Sequence, residues 1–174
     1  ARAVEKAWPD VELSGLVVTR YGHSAPTDRI TVREAAHPVP DEAGLAATQE
    51  ILDIAHAAGP DDLVLFLVSG GGSALLTAPV PPLTLADKIE VNRRLLGSGL
   101  AIADMNRIRR RLSLVKGGGL TRAAAPARVV TLAISDVPGD DPLAIASGPT
   151  VTAPADRDIS HLVERLGADL PEHI

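Results

Sequence analysis

The sequence contains no cysteine, so disulfides, thiolate metal sites and a cysteine nucleophile are all excluded. Aromatic residues make up only 2%, and Trp8, Tyr21 and Phe66 are the whole set. The core must therefore come from Ala, Val, Leu and Ile, and the stacking platforms that single-stranded nucleic acid requires are missing. There is no excess of positive charge either: the net charge is −5, which argues against a nucleic-acid partner. No apolar run reaches the ~18 residues of a membrane span, and no signal segment opens the chain. Together these absences predict a cytoplasmic protein with neither nucleic-acid nor membrane partners. Three familiar site motifs are also absent: the P-loop G-x-x-x-x-G-K-[ST], the nucleophile elbow G-x-S-x-G, and the dinucleotide fingerprint G-x-G-x-x-G, whose third glycine position is filled by Leu75.

What the chain does have is a central run, Leu63-Val64-Leu65-Phe66-Leu67-Val68, that empties into Ser69-Gly70-Gly71-Gly72-Ser73. An apolar run bounded by turn residues reads as a strand buried on both faces, as in a parallel sheet covered by helices. Three successive residues without a Cβ let the backbone turn sharply and aim its N–H groups at an anion. The flanking serine hydroxyls can donate to the same oxygens. The plainer reading is a tight strand-to-helix turn with no ligand.

A second apolar run, 128–134, reads as another buried strand and opens into Ser135-Asp136-Val137-Pro138-Gly139-Asp140-Asp141. Shorter strands are expected at 15–20 and 30–33. Asp41 caps a helix that Gly59-Pro60 stops, and Thr84 with Asp87 forms a capping box. Further helical spacing runs from Ile102 to Val115, then through a short Ala-rich stretch after Gly117-Gly118-Gly119, and lastly from Asp156 to Leu166. Alternating strands and helices predict an α/β fold, an open doubly wound and mainly parallel sheet with helices on both faces. In such sheets ligands sit beyond the carboxyl ends of the strands. Both the glycine loop and Ser135-Asp136 are expected at that rim.

A phosphoryl-transfer site needs an anion cradle, cations and carboxylates for magnesium. Candidate cations are Lys116, Arg107, Arg109 and Arg110; Asp136 is the candidate metal carboxylate, with Asp140 and Asp141 nearby. Gly117-Gly118-Gly119 could extend the cradle. Each has a structural alternative: solvated arginines, a helix cap at Asp141 and a structural donor at His37. The other histidines lack metal-ligand spacing.

Four segments in series now form a recognisable set: Ala36-His37-Pro38-Val39-Pro40-Asp41; Val68-Ser69-Gly70-Gly71-Gly72-Ser73-Ala74-Leu75-Leu76; residues 106–118 from Asn106 to Gly118; and Ser135-Asp136-Val137-Pro138-Gly139-Asp140-Asp141-Pro142 through Ser147-Gly148-Pro149-Thr150. Together they resemble the type-2 glycerate kinase family over nearly the whole chain. That resemblance implies ATP-dependent, magnesium-assisted phosphorylation of D-glycerate at its 2-hydroxyl, in a cleft between a large α/β amino-terminal domain and a smaller carboxyl-terminal one. It implies that Ser69, Gly70, Gly71, Gly72 and Ser73 form an anion-binding loop and that Lys116 and Asp136 face the cleft; from the residues themselves, His37 could orient a substrate hydroxyl or carboxylate and Arg107 is a candidate binding cation. A homo-oligomer is a further possibility. Two departures stand out. The family's Gly-Lys-Ala segment, with its catalytic lysine, would fall before Ala1, and the second domain would follow Ile174. The expectation is therefore that residues 1–174 are most of the amino-terminal domain and are inactive alone. Arg110-Arg111 also replaces the usual Lys-His, so no role is carried onto Arg111. The alternatives are an NAD(P)H-dependent hydroxypyruvate reductase, the name family members often carry, and a non-catalytic module that binds a sugar acid or nucleotide.

Overall fold

The computed structural model describes residues 1–154 and 159–166. Strands β1 (Gly15–Arg20) and β2 (Ile30–Ala35) run parallel, with Gly15 opposite Ile30. Their pairing is anchored by Glu5 in α1 (Arg2–Ala7), whose buried carboxylate accepts the backbone N–H groups of Asp28, Arg29 and Ile30 at 3.1, 2.7 and 2.8 Å. Those bonds, the one from Arg29 foremost, hold the Glu5 carboxyl below the usual range.

The chain then enters α2 (Glu42–Ala57), whose Asp41 cap accepts from Gly44 N at 2.9 Å and from the Tyr21 hydroxyl at 2.7 Å. Strands β3 (Leu63–Val68) and β4 (Arg128–Ala133) pair in parallel with Val64 opposite Val129 and Val68 opposite Ala133. This is the expected α/β architecture of parallel strands with helices, although the described residues form two two-stranded sheets. Leu52, Ala55, Leu76, Val115 and Leu120 make one core, against which Val64, Phe66 and Val129 pack.

The two apolar strands differ from expectation in their burial. Only the face carrying Val64, Phe66 and Val129 meets the core; on the opposite face Leu67 is 44% exposed and Leu132 59%. Strand alternation explains this, because paired residues of parallel strands share a face and only one face meets α2 and α6. The strands are thus buried on one side only.

After β3 come α3 (Gly72–Leu75), α4 (Leu85–Gly97), α5 (Ile102–Arg111) and α6 (Gly119–Ala123). The Thr84–Asp87 capping box forms as expected, with both reciprocal bonds present. The α5 helix is shorter than its periodicity implies. Ser113 bridges to Pro79 and Leu114 N donates to Ala78 O at 2.9 Å, so the 112–115 stretch pairs with an extended linker instead of coiling. Val91, Leu95, Leu100, Ile108 and Leu162 build a second core between α4, α5 and α7 (Ser160–Glu164). The expected start of that last helix, Asp156, lies outside the described residues. No described helix is long and apolar enough to cross a membrane.

Candidate functional site

Because β3 and β4 are parallel neighbours, the loops leaving them share one rim, and Ile134 N still donates to Val68 O at 2.9 Å as the two chains diverge. There the Asp136 carboxylate lies directly against Gly70, where a Cβ would collide with its Oδ2. Gly71 adopts φ +83, and a Cβ on it would stand 3.0 Å from His37 Nε2. A Cβ on Gly72 would stand 3.1 Å from that of Ala146. Each glycine is thus required by a close approach or a left-handed turn. Among the described residues the amides of Gly70 and Gly71 have no acceptor, which leaves two donors at the rim for an anion.

Ser73 is the hub behind this loop. Its hydroxyl lies 2.9 Å from that of Ser147, and Lys116 Nζ donates to its carbonyl at 2.7 Å and its hydroxyl at 2.8 Å. Ser147 and Lys116 are both 3% exposed. On the other side, Thr48 Oγ1 donates to Gly44 O and accepts from Thr77 N at 2.9 Å, tying the end of α3 to α2. Ala146 and Ser147 precede Gly148 with φ of 51, 65 and 62, a left-handed run that turns the chain beneath the loop.

Beside the loop opens a cavity of about 300 Å³, lined on its polar side by His37, Ser73, Lys88, Asn92, Arg109 and Lys116 and on its apolar side by Val91, Leu95, Leu96 and Leu112. Its charge is one-sided. Arg109 donates to Asn92 Oδ1 at 3.0 Å and to Asn106 Oδ1 at 3.1 Å, both neutral amides. Lys88 Nζ is buried with no hydrogen-bond partner among the described residues. Burial, with the Arg109 charge second, pulls the Lys88 ammonium down to about 8. Burial first, then Lys88 and Arg109, lowers Lys116 well below the ordinary lysine value.

Of the residues anticipated from sequence, the geometry gathers His37, the 69–73 loop, Lys116 and Asp136 around one rim. Arg107 is not among the residues lining this cavity; it pairs with Asp104 at 3.3 Å on α5. The second glycine run is no cradle, because Gly117 N donates to Ser147 O, Gly118 N to Gly148 O and Gly119 N to Lys116 O. Asp141 caps its own turn through Leu143 N at 2.9 Å. Asp140, with Ser135 and Thr131, lines a more open cavity of about 660 Å³ on the β4 side. No three His, Asp or Glu side chains gather as a metal cluster among the described residues. Lys88 and Asn92 were not anticipated. The available signal was Lys88 lying between Leu85 and Val91 at helical spacing, a charge within the buried stripe of α4.

Comparison with known proteins gives consistent relatives. The family model "Domain of unknown function (DUF4147)" matches residues 1–174. The chain is 57% identical over 173 residues to a "Putative hydroxypyruvate reductase" of Agrobacterium vitis, covering 99% of this chain and 40% of that protein. It is 46% identical over 153 residues to the glycerate kinase of Homo sapiens, covering 86% and 29% respectively. Among solved structures it superposes on the glycerate kinase of Thermotoga maritima with a TM-score of 0.93 at 38% identity, over 99% of this chain and 42% of that one. The chain thus spans well under half the length of the relatives it matches.

Proposed function

The chain belongs to the DUF4147 family, and from that premise we propose that it forms most of the amino-terminal domain of a glycerate kinase that transfers a phosphoryl group from ATP to the 2-hydroxyl of D-glycerate. The observation that carries this reading is the shared rim, where the Gly70–Gly71 amides and the Asp136 carboxylate meet beside a cavity lined by cations. That combination suits a reaction whose reactants are both anionic and whose transition state gathers charge on phosphoryl oxygens.

The residues fit the implied cofactors in kind. Gly70 and Gly71 offer amides that have no acceptor among the described residues, as a phosphate chain requires. Asp136 is a lone exposed carboxylate, which suits magnesium, an ion that keeps most of its ligands from water and phosphate. ATP supplies the phosphoryl group and magnesium offsets its charge. The chain's own contributions are positional: Lys116 and Ser147 fix Ser73 from behind, Thr48 fixes the end of α3, and His37 packs against Gly71. Lys116, whose Nζ donates to both the carbonyl and the hydroxyl of Ser73, fixes the end of the loop from within the core.

The test is a product assay on the full-length protein with ATP, magnesium and D-glycerate that separates 2-phosphoglycerate from 3-phosphoglycerate. 2-Phosphoglycerate supports the reading, and residues 1–174 alone should give little of it. The reductase name carried by two Agrobacterium vitis relatives supplies the second reading, and nicotinamide oxidation with hydroxypyruvate and no phosphoglycerate would establish it instead. Ligand-dependent stabilisation without either turnover would mark a binding module.

A further inference from the structure

We infer that the cavity beside the glycine loop is the subsite for the carboxylate of the small hydroxy acid, with Lys88 of α4 its principal binding group; this rests on the kinase reading above and deepens it. The cavity holds Lys88, Arg109, Lys116 and the His37 imidazole, and no aspartate or glutamate lines it. Arg109 is occupied only by neutral amides, and Lys88 Nζ by nothing among the described residues. Burying an unpaired cation is costly, and burying several together costs more. Such a cluster is half of an ion pair, and a ligand anion completes it.

Size and lining select the kind of anion. About 300 Å³ is the lower end of ligand pockets, ample for a three-carbon acid and too small for a whole nucleotide. Val91, Leu95, Leu96 and Leu112 enclose the cations in apolar surface, which strengthens one compact charge pair and suits a carbon chain better than a run of phosphates. Gly71 and Ser73 of the loop line the same cavity. An acid seated on Lys88 would therefore present its hydroxyl toward the loop where phosphate is expected. A terminal phosphate shares this oxyanion chemistry, so the experiment must separate the two sources.

The measurement is calorimetric binding of D-glycerate, inorganic phosphate and ATP to the full-length protein in the absence of turnover, with Lys88→Met and Lys88→Arg variants. D-Glycerate should bind wild type and lose about tenfold or more in affinity in K88M, with part recovered in K88R and ATP affinity unchanged. Glycerate affinity should also fall as pH rises through about 8, where Lys88 loses its proton, and K88M should flatten that dependence. His37, Arg109 and Lys116 face the same space, so the K88M comparison assigns the titration. Unchanged glycerate affinity in K88M overturns the inference, as does a loss confined to ATP or phosphate. Because binding is read without catalysis, absence of kinase turnover would sink the functional reading while leaving this one standing or falling on its own data.

Discussion

The carboxylate of Asp136 occupies the space that any side chain at Gly70 would need. Two loops more than sixty residues apart thereby become one corner, because β3 and β4 are in register to their last residues.

Gly70→Ala should push that carboxylate aside. The obstacle is the end of an exposed, rotatable side chain, so stability should change by less than about 1 kcal/mol. Turnover of the full-length enzyme should nevertheless fall at least tenfold, and Gly70→Ala should add little to the loss in Asp136→Ala. Denaturant titration with a double-mutant kinetic cycle checks both parts, and additive losses would separate the two residues.

Gly119→Ala should behave in the opposite way. Its Cβ would drive into the Leu114 backbone carbonyl, which cannot rotate away, and the second glycine run is entirely committed to internal hydrogen bonds. A loss of about 2 kcal/mol or more in urea unfolding is expected; a loss of a few tenths would show that the 114–119 turn yields easily.

Lys88→Met should stabilise the protein free of ligand. Burial depresses the folded-state value to about 8 from 10.5, so the folded state binds fewer protons than the unfolded one between those values. The penalty is therefore fully present below pH 8, on the order of 3 kcal/mol, and fades as pH rises toward 10.5. Unfolding measured from pH 7 to pH 10 should show the variant's advantage shrinking in that window. An advantage constant with pH would mean that Lys88 titrates normally.

Glu5→Gln should loosen the start of β2. The wild-type carboxyl is lowered by the backbone bonds it accepts, so its contribution is present above the unfolded value of 4.5 and lost as pH falls through the lower folded one. The variant should melt earlier than wild type at neutral pH, and the two should converge in acid. Equal melting temperatures at pH 7 would reduce Glu5 to a bystander.

Much of this was legible from local chemistry. Asp41 and the Thr84–Asp87 pair cap their helices because capping depends on residues within one turn. Four parallel-strand segments were readable from β-branched and apolar runs, and the resemblance carried by the glycine and Ser-Asp segments pointed to the family that the comparisons show. The apolar face of α5 was readable as Met105, Ile108 and Leu112, but which arginine enters the cavity was not. Its arginines are neighbours in sequence, yet packing turns Arg109 into the cavity while Arg107 pairs with Asp104.

By itself, then, the order of residues determined the elements, their caps and a sharp turn at Gly70–Gly72, since each follows from torsional preference and bonds within a few residues. Tertiary structure alone decided that Lys88 is a buried cation rather than a solvated helix charge, that the second glycine run turns inward, and that the apolar strands cover only one side. Desolvation is the reason: whether a charge or a methyl group meets water depends on which distant segments close over it, and helical spacing marks only the face on which that can happen.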